Sequence, residues 1–197
     1  MNELMAARSL STRPVVTLGG DAVAQVKDTV FDAEAGRITG FTLNGRGLLS
    51  GPLRQSLPWT AVHALGHDAV MIRDRRELAE TTAAEARRAA VRGRVVGARL
   101  LTETGTEVGT VLDVVVEGGG SGRVVGFRVA ASREFAAGPK RRRRRVWVPR
   151  GETVAVSGRA LVLPAATVRY AAESLDGPDG LAALARRVPA RRKDPLP

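Results

Sequence analysis

The chain of 197 residues contains no cysteine. Without cysteine it can form neither disulfides nor thiolate metal sites, and it has no cysteine nucleophile. Nothing therefore requires an oxidising compartment, and we expect a cytoplasmic protein. Aromatic residues make up only 4% of the chain, so valine, leucine and alanine must build most of its hydrophobic core.

Long apolar stretches are also absent. The longest aliphatic runs, such as VLDVVV at residues 111–116, are too short to cross a bilayer. The first ten residues include Glu3 and lack the apolar core of a signal peptide. Neither the phosphate-binding motif G-x-x-x-x-G-K-[ST] nor the serine-hydrolase motif G-x-S-x-G occurs. We therefore expect neither enzymatic activity nor a bound cofactor.

Acidic residues balance the basic ones in the first part of the chain but not in the second. Residues 1–85 hold 9 Lys and Arg against 10 Asp and Glu, whereas residues 86–197 hold 22 against 10. The formal net charge of +11 therefore comes from the second part alone. A one-sided field of this kind favours anionic partners at long range.

What the sequence does contain is an internal repeat. GGDAVAQVKDTVFD (residues 19–32) aligns with TGTEVGTVLDVVVE (residues 104–117), and GRITGFTL (residues 36–43) aligns with GRVVGFRV (residues 122–129). A third block, LPWTAVHALGHDAVMI, aligns with VPRGETVAVSGRALVL. The spacing between the copies grows slightly along the chain, which places small insertions in loops.

Both copies have the pattern of short β-strands. Valine and isoleucine dominate runs of four to eight residues that are separated by Gly, Asp or Pro. Residues 108–116 are largely apolar at both sets of alternate positions, which predicts a strand that is buried on both faces or coils within a closed barrel. The matched glycines predict turns with a positive φ, strand bulges or sharp corners. We assign structural roles to Gly20, Gly40, Pro58, Gly105, Gly126 and Pro149.

The segment between the copies, DRRELAETTAAEARRAAVRG (residues 74–93), is typical of a helix. Alanine is abundant, and Asp74 and Glu77 have the spacing of a capping box. A second short helix is predicted from DGPDGLAALARRVP. The predicted organisation is a first repeat at 1–75, a helical linker at 76–91, a second repeat at 92–172, and a short helix with a disordered basic tail at 173–197.

The ordered pattern of both copies resembles the PRC-barrel domain family. The resemblance is carried by a glycine turn, a valine-rich strand with the matched Asp, the block G-R-[IV]-x-G-F, and [LV]-P before a closing strand. It implies a mainly β fold of two small, strongly bent PRC-type β-barrels, and a module that works in assemblies without enzymatic activity. Because a single barrel of this size is only marginally stable, we expect a rigid pair or a dimer rather than two independent domains.

Asp28 and Asp113 occupy the same position in the two copies. Paired carboxylates can serve acid–base or metal chemistry, but each Asp lies in a separate repeat with no obvious second carboxylate or histidine. We therefore predict a structural role for both. Each would accept N–H groups of the strand or turn, or pair with the repeated Arg37 and Arg123, because an unpaired buried charge is costly.

Two other motifs have structural explanations. His63 and His67 have a zinc spacing if they lie on a helix, but Gly66 lies between them and the block aligns with a predicted hairpin. We therefore predict no metal site. The glycine-rich EGGGSGRVVG precedes a strand rather than a helix, so a hairpin turn is favoured over a phosphate-binding loop.

The remaining candidate is the run KRRRRRVWVP at residues 140–149. The first copy fills the same loop with NGRGLLSGPLRQS, which has only two arginines, so the fold does not need this charge. Arginine binds phosphate well and a tryptophan can stack on a base; the alternatives are a solvated hairpin tip and a tryptophan that simply packs. The hypothetical anion- or nucleic-acid-binding residues are Lys140, Arg141, Arg142, Arg143, Arg144, Arg145, Trp147 and Arg150.

Two classes of function follow from these features. The first is a non-enzymatic adaptor or assembly module that makes protein–protein contacts in the cytoplasm. The alternative is an RNA- or ribosome-associated binding protein that uses the basic loop Lys140–Arg145. Docking on an anionic lipid surface is a third hypothesis, and a homodimer is compatible with each of them.

Overall fold

The computed structural model describes residues 4–32, 35–47, 50–82, 84–85, 88, 95–135, 144–151, 155–157, 159–171, 180 and 183. Within these residues the chain is mainly β, as the sequence predicted. The strands are β1 (Leu4–Ala6), β2 (Pro14–Thr17), β3 (Ala22–Asp32), β4 (Arg37–Asn44), β5 (Pro52–Pro58), β6 (Val62–Leu65), β7 (Val70–Ile72), β8 (Ala79–Glu80), β9 (Arg99–Thr102), β10 (Glu107–Glu117), β11 (Val124–Ala131), β12 (Arg145–Pro149), β13 (Ala155–Ser157) and β14 (Ala160–Leu163). The helical turns are the 3₁₀ segments Ala7–Leu10, Trp59–Ala61 and Arg75–Glu77 and the α-helix Ala165–Val168.

Each repeat forms one curled sheet. The first has the strand order β6-β7-β2-β3-β4-β5-β8, and the second has the order β12-β11-β10-β9-β14-β13 with β1 added to β10. Long antiparallel hairpins, β3–β4 and β10–β11, lie at the centre. The parallel pairs β2–β7 and β9–β14 occupy equivalent places. The sequence repeat is therefore a repeat of topology.

The matched glycines have matched conformations. Gly20 and Gly105 adopt φ values of 93° and 83° in their turns, a region in which glycine pays no Cβ penalty. The pairing register shifts next to Gly40 in the first repeat and next to Gly126 in the second. A Cβ on Gly40 would lie 2.6 Å from the carbonyl oxygen of Leu57. The predicted turns and bulges are confirmed.

A further match lies in the turn that precedes β2 in the first repeat and β9 in the second. The N–H of Thr12 donates to the carbonyl of Val26, and the N–H of Gly97 donates to the carbonyl of Val111, both at 2.8 Å. Thr12 has a φ of 72° and Gly97 a φ of 88°. A β-branched residue is strained in this region. The first repeat therefore carries a strained Thr12 where the second has Gly97, which suits the turn.

We predict that Thr12→Gly stabilises the chain. The substitution removes the left-handed strain of about 1 to 2 kcal/mol, part of which the added flexibility of the unfolded chain offsets. The free energy of unfolding, measured by urea titration, should rise by roughly 0.5 to 1 kcal/mol. The reciprocal change Gly97→Thr is the control and should lower it. A loss of stability in Thr12→Gly would contradict this interpretation.

Strand β10 is buried on both faces, as predicted from the apolar residues at both sets of its alternate positions. Val111, Val114 and Val116 belong to the main core, whereas Val115 packs with Leu4 in a second cluster. Leu4 lies on β1, at the start of the first repeat, but this strand pairs with β10 of the second. The N-terminal segment therefore ties the start of the chain to the second repeat.

The two repeats meet in an antiparallel bridge between Arg37 and Arg123. The N–H of Ile38 donates to the carbonyl of Gly122, and the N–H of Val124 donates to the carbonyl of Gly36, both at 2.8 Å. The bridged residues are repeat counterparts, so the contact has local two-fold pseudosymmetry. A second bridge joins Leu65 and Gly119 through two more 2.8 Å hydrogen bonds.

Glycine allows side chains to cross this junction. A Cβ on Gly122 would lie 2.5 Å from the indole ring of Trp59, and a Cβ on Gly36 would overlap the guanidinium of Arg150. Trp59 and Arg150 are equivalent residues, because each directly follows the matched proline at the end of β5 or β12. Trp59 of the first repeat covers Gly122 of the second, and Arg150 of the second covers Gly36 of the first. One continuous hydrophobic core spans both repeats.

We predict that Gly122→Ala strongly destabilises the chain. The new methyl group would collide with Trp59, and the φ of 57° is unfavourable for alanine. Together these effects should cost about 2 to 4 kcal/mol. Gly120→Ala is the matched control, because a Cβ there meets nothing within 4 Å; its effect should stay within about 0.5 kcal/mol. Equal denaturant midpoints for the two variants would show that the glycine contact is unimportant.

The predicted helical linker is wrong at its start. Residues 75–77 form a 3₁₀ turn, and residues 79–80 form β8, which pairs with β5. Burial of Leu78 and this pairing override the local helix propensity. The capping box is made by Thr82 and Glu85: the hydroxyl of Thr82 accepts from the N–H of Glu85, and the carboxylate accepts from the N–H of Thr82. The Thr82 hydroxyl, which donates to the carboxylate at 2.7 Å, and the Thr82 N–H together lower the pKa of Glu85.

Residues 84, 85 and 88 are helical; the other residues of the predicted linker from 83 to 91 lie outside the described residues. Residues 180 and 183 are also helical, and the remainder of the predicted C-terminal segment, 173–197, is likewise outside them. In the described part of the chain, no helix has the length and apolar character needed to cross a membrane.

Candidate functional site

A row of three side chains crosses the outer face of the second sheet. Asp113 on β10 lies opposite Arg128 on β11, and Arg128 lies opposite Trp147 on β12. Their strand neighbours Phe127, Val129, Val146 and Val148 belong to the core. Since successive side chains of a strand alternate between faces, Arg128 and Trp147 point outward. We call Asp113, Arg128 and Trp147 the outer row.

The carboxylate of Asp113 forms the buried end of the outer row. Its side chain is only 5% exposed. Oδ1 accepts hydrogen bonds from the N–H groups of Val114 at 2.9 Å and of Arg8 at 3.2 Å, and Oδ2 lies 3.9 Å from Nη2 of Arg128. The nearby guanidinium offsets part of the cost of burying this charge. The Arg8 contact also fixes the N-terminal segment on the second repeat.

The matched Asp28 has a different environment. It is exposed; its carboxylate accepts from the hydroxyl of Thr42, which in turn accepts from the N–H of Asp28, both at 3.0 Å. The proposed pairing of the second aspartate with Arg123 is not the one observed, because Nε of Arg123 lies 3.2 Å from a carboxylate oxygen of Glu117. Equivalent residues thus have unequal burial.

We predict that Asp113→Asn destabilises the chain by about 1 to 3 kcal/mol. The amide weakens the charge-assisted bonds to two N–H groups and leaves Arg128 without its counter-charge. Asp28→Asn is the control from the equivalent position and should change stability by less than about 0.5 kcal/mol, because that side chain is exposed. Thermal and urea unfolding of both variants measure the difference. Equal losses would contradict a special role for Asp113.

Trp147 is half-buried over the second cluster, where it packs against Leu4, Val115 and Val125. Its strand neighbour on the same face, Arg145, is exposed. This packing was one of the two alternatives for the tryptophan, and it leaves part of the ring accessible beside a cation.

Arg128 lies between the tryptophan and the buried aspartate. Its side chain is 33% exposed. Its Nε is buried and has no hydrogen-bond partner in the part of the chain that the structure describes. Arg8, whose N–H donates to the same aspartate, has an exposed side chain. The face therefore combines an aromatic ring, the guanidinium groups of Arg128 and Arg145, and one buried carboxylate.

The first repeat has no such combination. The pairing register places Thr42 at the position of Arg128 and Ser56 at that of Trp147. The hydroxyls of Ser56 and Thr81 lie 2.6 Å apart. The arginine–tryptophan pair is thus specific to the second repeat. Arg128 was missed as a candidate, although the aligned blocks GFTL and GFRV contain the signal.

The sequence-derived basic site is divided by the structure. Arg145 is the first residue of β12 and lies two positions before Trp147, Arg144 directly precedes the strand, and Lys140–Arg143 lie outside the described residues. Arg150 packs against Gly36 at the junction of the repeats rather than beside the tryptophan. The structure therefore brings Arg145 and Trp147 together and adds Arg128, which the sequence analysis had not selected.

The two histidines are both exposed. His63 lies on β6, and Nδ1 of His67 is 2.9 Å from a carboxylate oxygen of Asp68. In the ranges that the structure describes, no three His, Asp or Glu side chains converge as a metal site would require.

The fold and the outer row define a duplicated small β domain whose copies share a core but differ in one surface. Comparison with family models matches the PRC-barrel domain twice, at residues 2–79 and 93–168. The chain therefore belongs to the PRC-barrel family and carries the domain in tandem. A search of curated proteins finds no match to the chain.

Proposed function

We propose that the chain is a non-enzymatic adaptor that holds protein partners together in a cytoplasmic assembly. The observation that carries this proposal is the difference between the repeats on their outer faces. Positions that the copies share form turns, bulges and the junction, whereas Arg128 and Trp147 replace Thr42 and Ser56. Arginine and tryptophan are the residue types enriched at the energetic centres of protein interfaces.

The joined repeats also suit an adaptor on energetic grounds. Among the described residues, four backbone hydrogen bonds form the two bridges of the junction, and one core spans both copies. A surface that is already rigid loses little conformational entropy when a partner binds. The outer row is held by β-strands and by the Asp113 contacts rather than by a loop, so it is suited to specific recognition.

A crosslinked pull-down with the tagged full chain, with and without nuclease, tests the adaptor function. We expect the same proteins to be recovered under both conditions, because direct protein contacts do not need RNA. The tag alone is the control. Recovery of RNA without protein, or of proteins that disappear after nuclease, would overturn the adaptor.

The second candidate function is RNA binding through the loop Lys140–Arg145. It is favoured by the position of Arg144 and Arg145 directly before the half-buried Trp147. Arginines bind phosphates, and an aromatic ring nearby can stack on a base.

For this candidate, replacing Arg141 through Arg145 with glutamine should abolish most of the affinity for single-stranded RNA without unfolding the chain. The wild type should show a salt dependence with a slope of about −0.7 per phosphate contacted, measured by fluorescence anisotropy. The matched control replaces Arg46 and Arg54, the two arginines of the equivalent loop in the first repeat. Affinity that survives the loop substitution would exclude this mode.

A further inference from the structure

We propose that the outer row, together with Arg145, binds an extended acidic segment of a partner protein. Carboxylates of the segment pair with Arg128 and Arg145, and an apolar residue between them contacts Trp147. The inference rests on the proposed adaptor function and specifies the surface and the chemistry of its partner.

Arg128 is held in place for this interaction. Asp113 lies 3.9 Å away, within electrostatic range but beyond hydrogen-bond distance. The guanidinium has five donors, and 33% of the side chain is exposed. Asp113 therefore orients the arginine without using up its hydrogen-bonding capacity. A second carboxylate arriving from solvent can bind a preorganised cation, which reduces the entropic cost of binding.

The spacing of the cations fits an extended chain. Arg145 and Trp147 are alternate residues on one face of β12, and Arg128 lies opposite Trp147 on β11. Alternate residues of a strand are about 6.7 Å apart, which is also the distance between alternate side chains of an extended partner. A segment that runs along β12 can therefore meet Arg145 and the indole ring with successive outward side chains, and a carboxylate beside the second of these reaches Arg128, which lies across the sheet about 4.8 Å from Trp147.

Trp147 supplies the apolar part of the surface. Leu4, Val115 and Val125 support the ring from below, so it does not need to become ordered when a partner binds. A tryptophan fixed in this way offers a large contact area at low entropic cost. The ring and the guanidinium beside it together favour a segment in which acidic and apolar residues alternate.

The charge of this face favours a protein segment over a nucleic acid. In the outer row the charge of Arg128 is partly balanced by Asp113, whose carboxylate lies 3.9 Å from the guanidinium. A track of phosphates needs several cations in sequence to gain its counterion-release energy. An embedded carboxylate reduces that gain, whereas it still permits short-range pairing with individual carboxylates.

The test uses the two tryptophans of the chain. In the full chain carrying Trp59→Phe, the fluorescence of Trp147 reports on the outer row alone. The probe is a short synthetic peptide in which glutamate alternates with leucine, and the comparison peptide has lysine in place of glutamate. We expect a saturable change in Trp147 emission with the acidic peptide and none with the basic one.

Variants locate the contact. Arg145→Gln and Arg128→Lys should each raise the dissociation constant of the acidic peptide roughly tenfold or more, because a charged hydrogen bond is lost. Arg128→Lys retains a positive charge near Asp113, and circular dichroism of each variant confirms that it is folded. Arg54→Gln, at the position of the first repeat that matches Arg145, is the control and should leave the dissociation constant unchanged.

Three outcomes would overturn the proposal. They are equal binding of both peptides, an unchanged dissociation constant in Arg145→Gln, and tighter binding of oligouridylate with the same dependence on the two arginines. The pull-down separates this inference from the adaptor function. If Arg145→Gln recovers the same proteins as the wild type, the adaptor function stands and the proposed binding surface is wrong. If the wild type recovers no protein while the acidic peptide binds, the binding surface stands and the adaptor function is wrong.

Discussion

The approach of two backbone segments at Gly36 and Gly122 is the constraint on which the rest of the structure depends. Because neither residue has a Cβ, the segments can form the bridge between Arg37 and Arg123, and a large side chain of each repeat can cover the other's glycine. This contact unites two small sheets into one core. A single repeat of such size would bury a smaller fraction of its surface than the joined pair, so the junction also adds to stability.

The junction has a consequence for the N-terminal segment. With the repeats fixed against each other, β1 can leave the first repeat and pair with β10 of the second. The segment then buries Asp113 and donates the N–H of Arg8 to it, whereas the equivalent Asp28 remains exposed. A nearly symmetric junction thus produces an asymmetric outer face, because the chain has only one N-terminus to contribute.

Local pattern was enough to predict the turns, the bulges and the burial of β10 on both faces, since each depends on residues close in sequence. The outer row was not accessible in this way. The bond between Arg8 and Asp113 joins residues 105 positions apart, and the row itself requires the register of three strands. The start of the predicted helical linker was wrong for the opposite reason. Its local pattern predicts a helix, but burial of Leu78 and pairing of β8 with β5 are tertiary effects that override local propensity.

Duplication within one chain also explains how a specific surface can coexist with a shared fold. In a symmetric homodimer, every substitution appears twice, so an arginine–tryptophan pair on one outer face would be repeated on the other. In the fused chain, Arg128 and Trp147 occur once, and the equivalent Thr42 and Ser56 keep small polar side chains that bond within their own repeat. One copy can therefore carry recognition while its counterpart contributes stability, which an adaptor with a single oriented partner site requires.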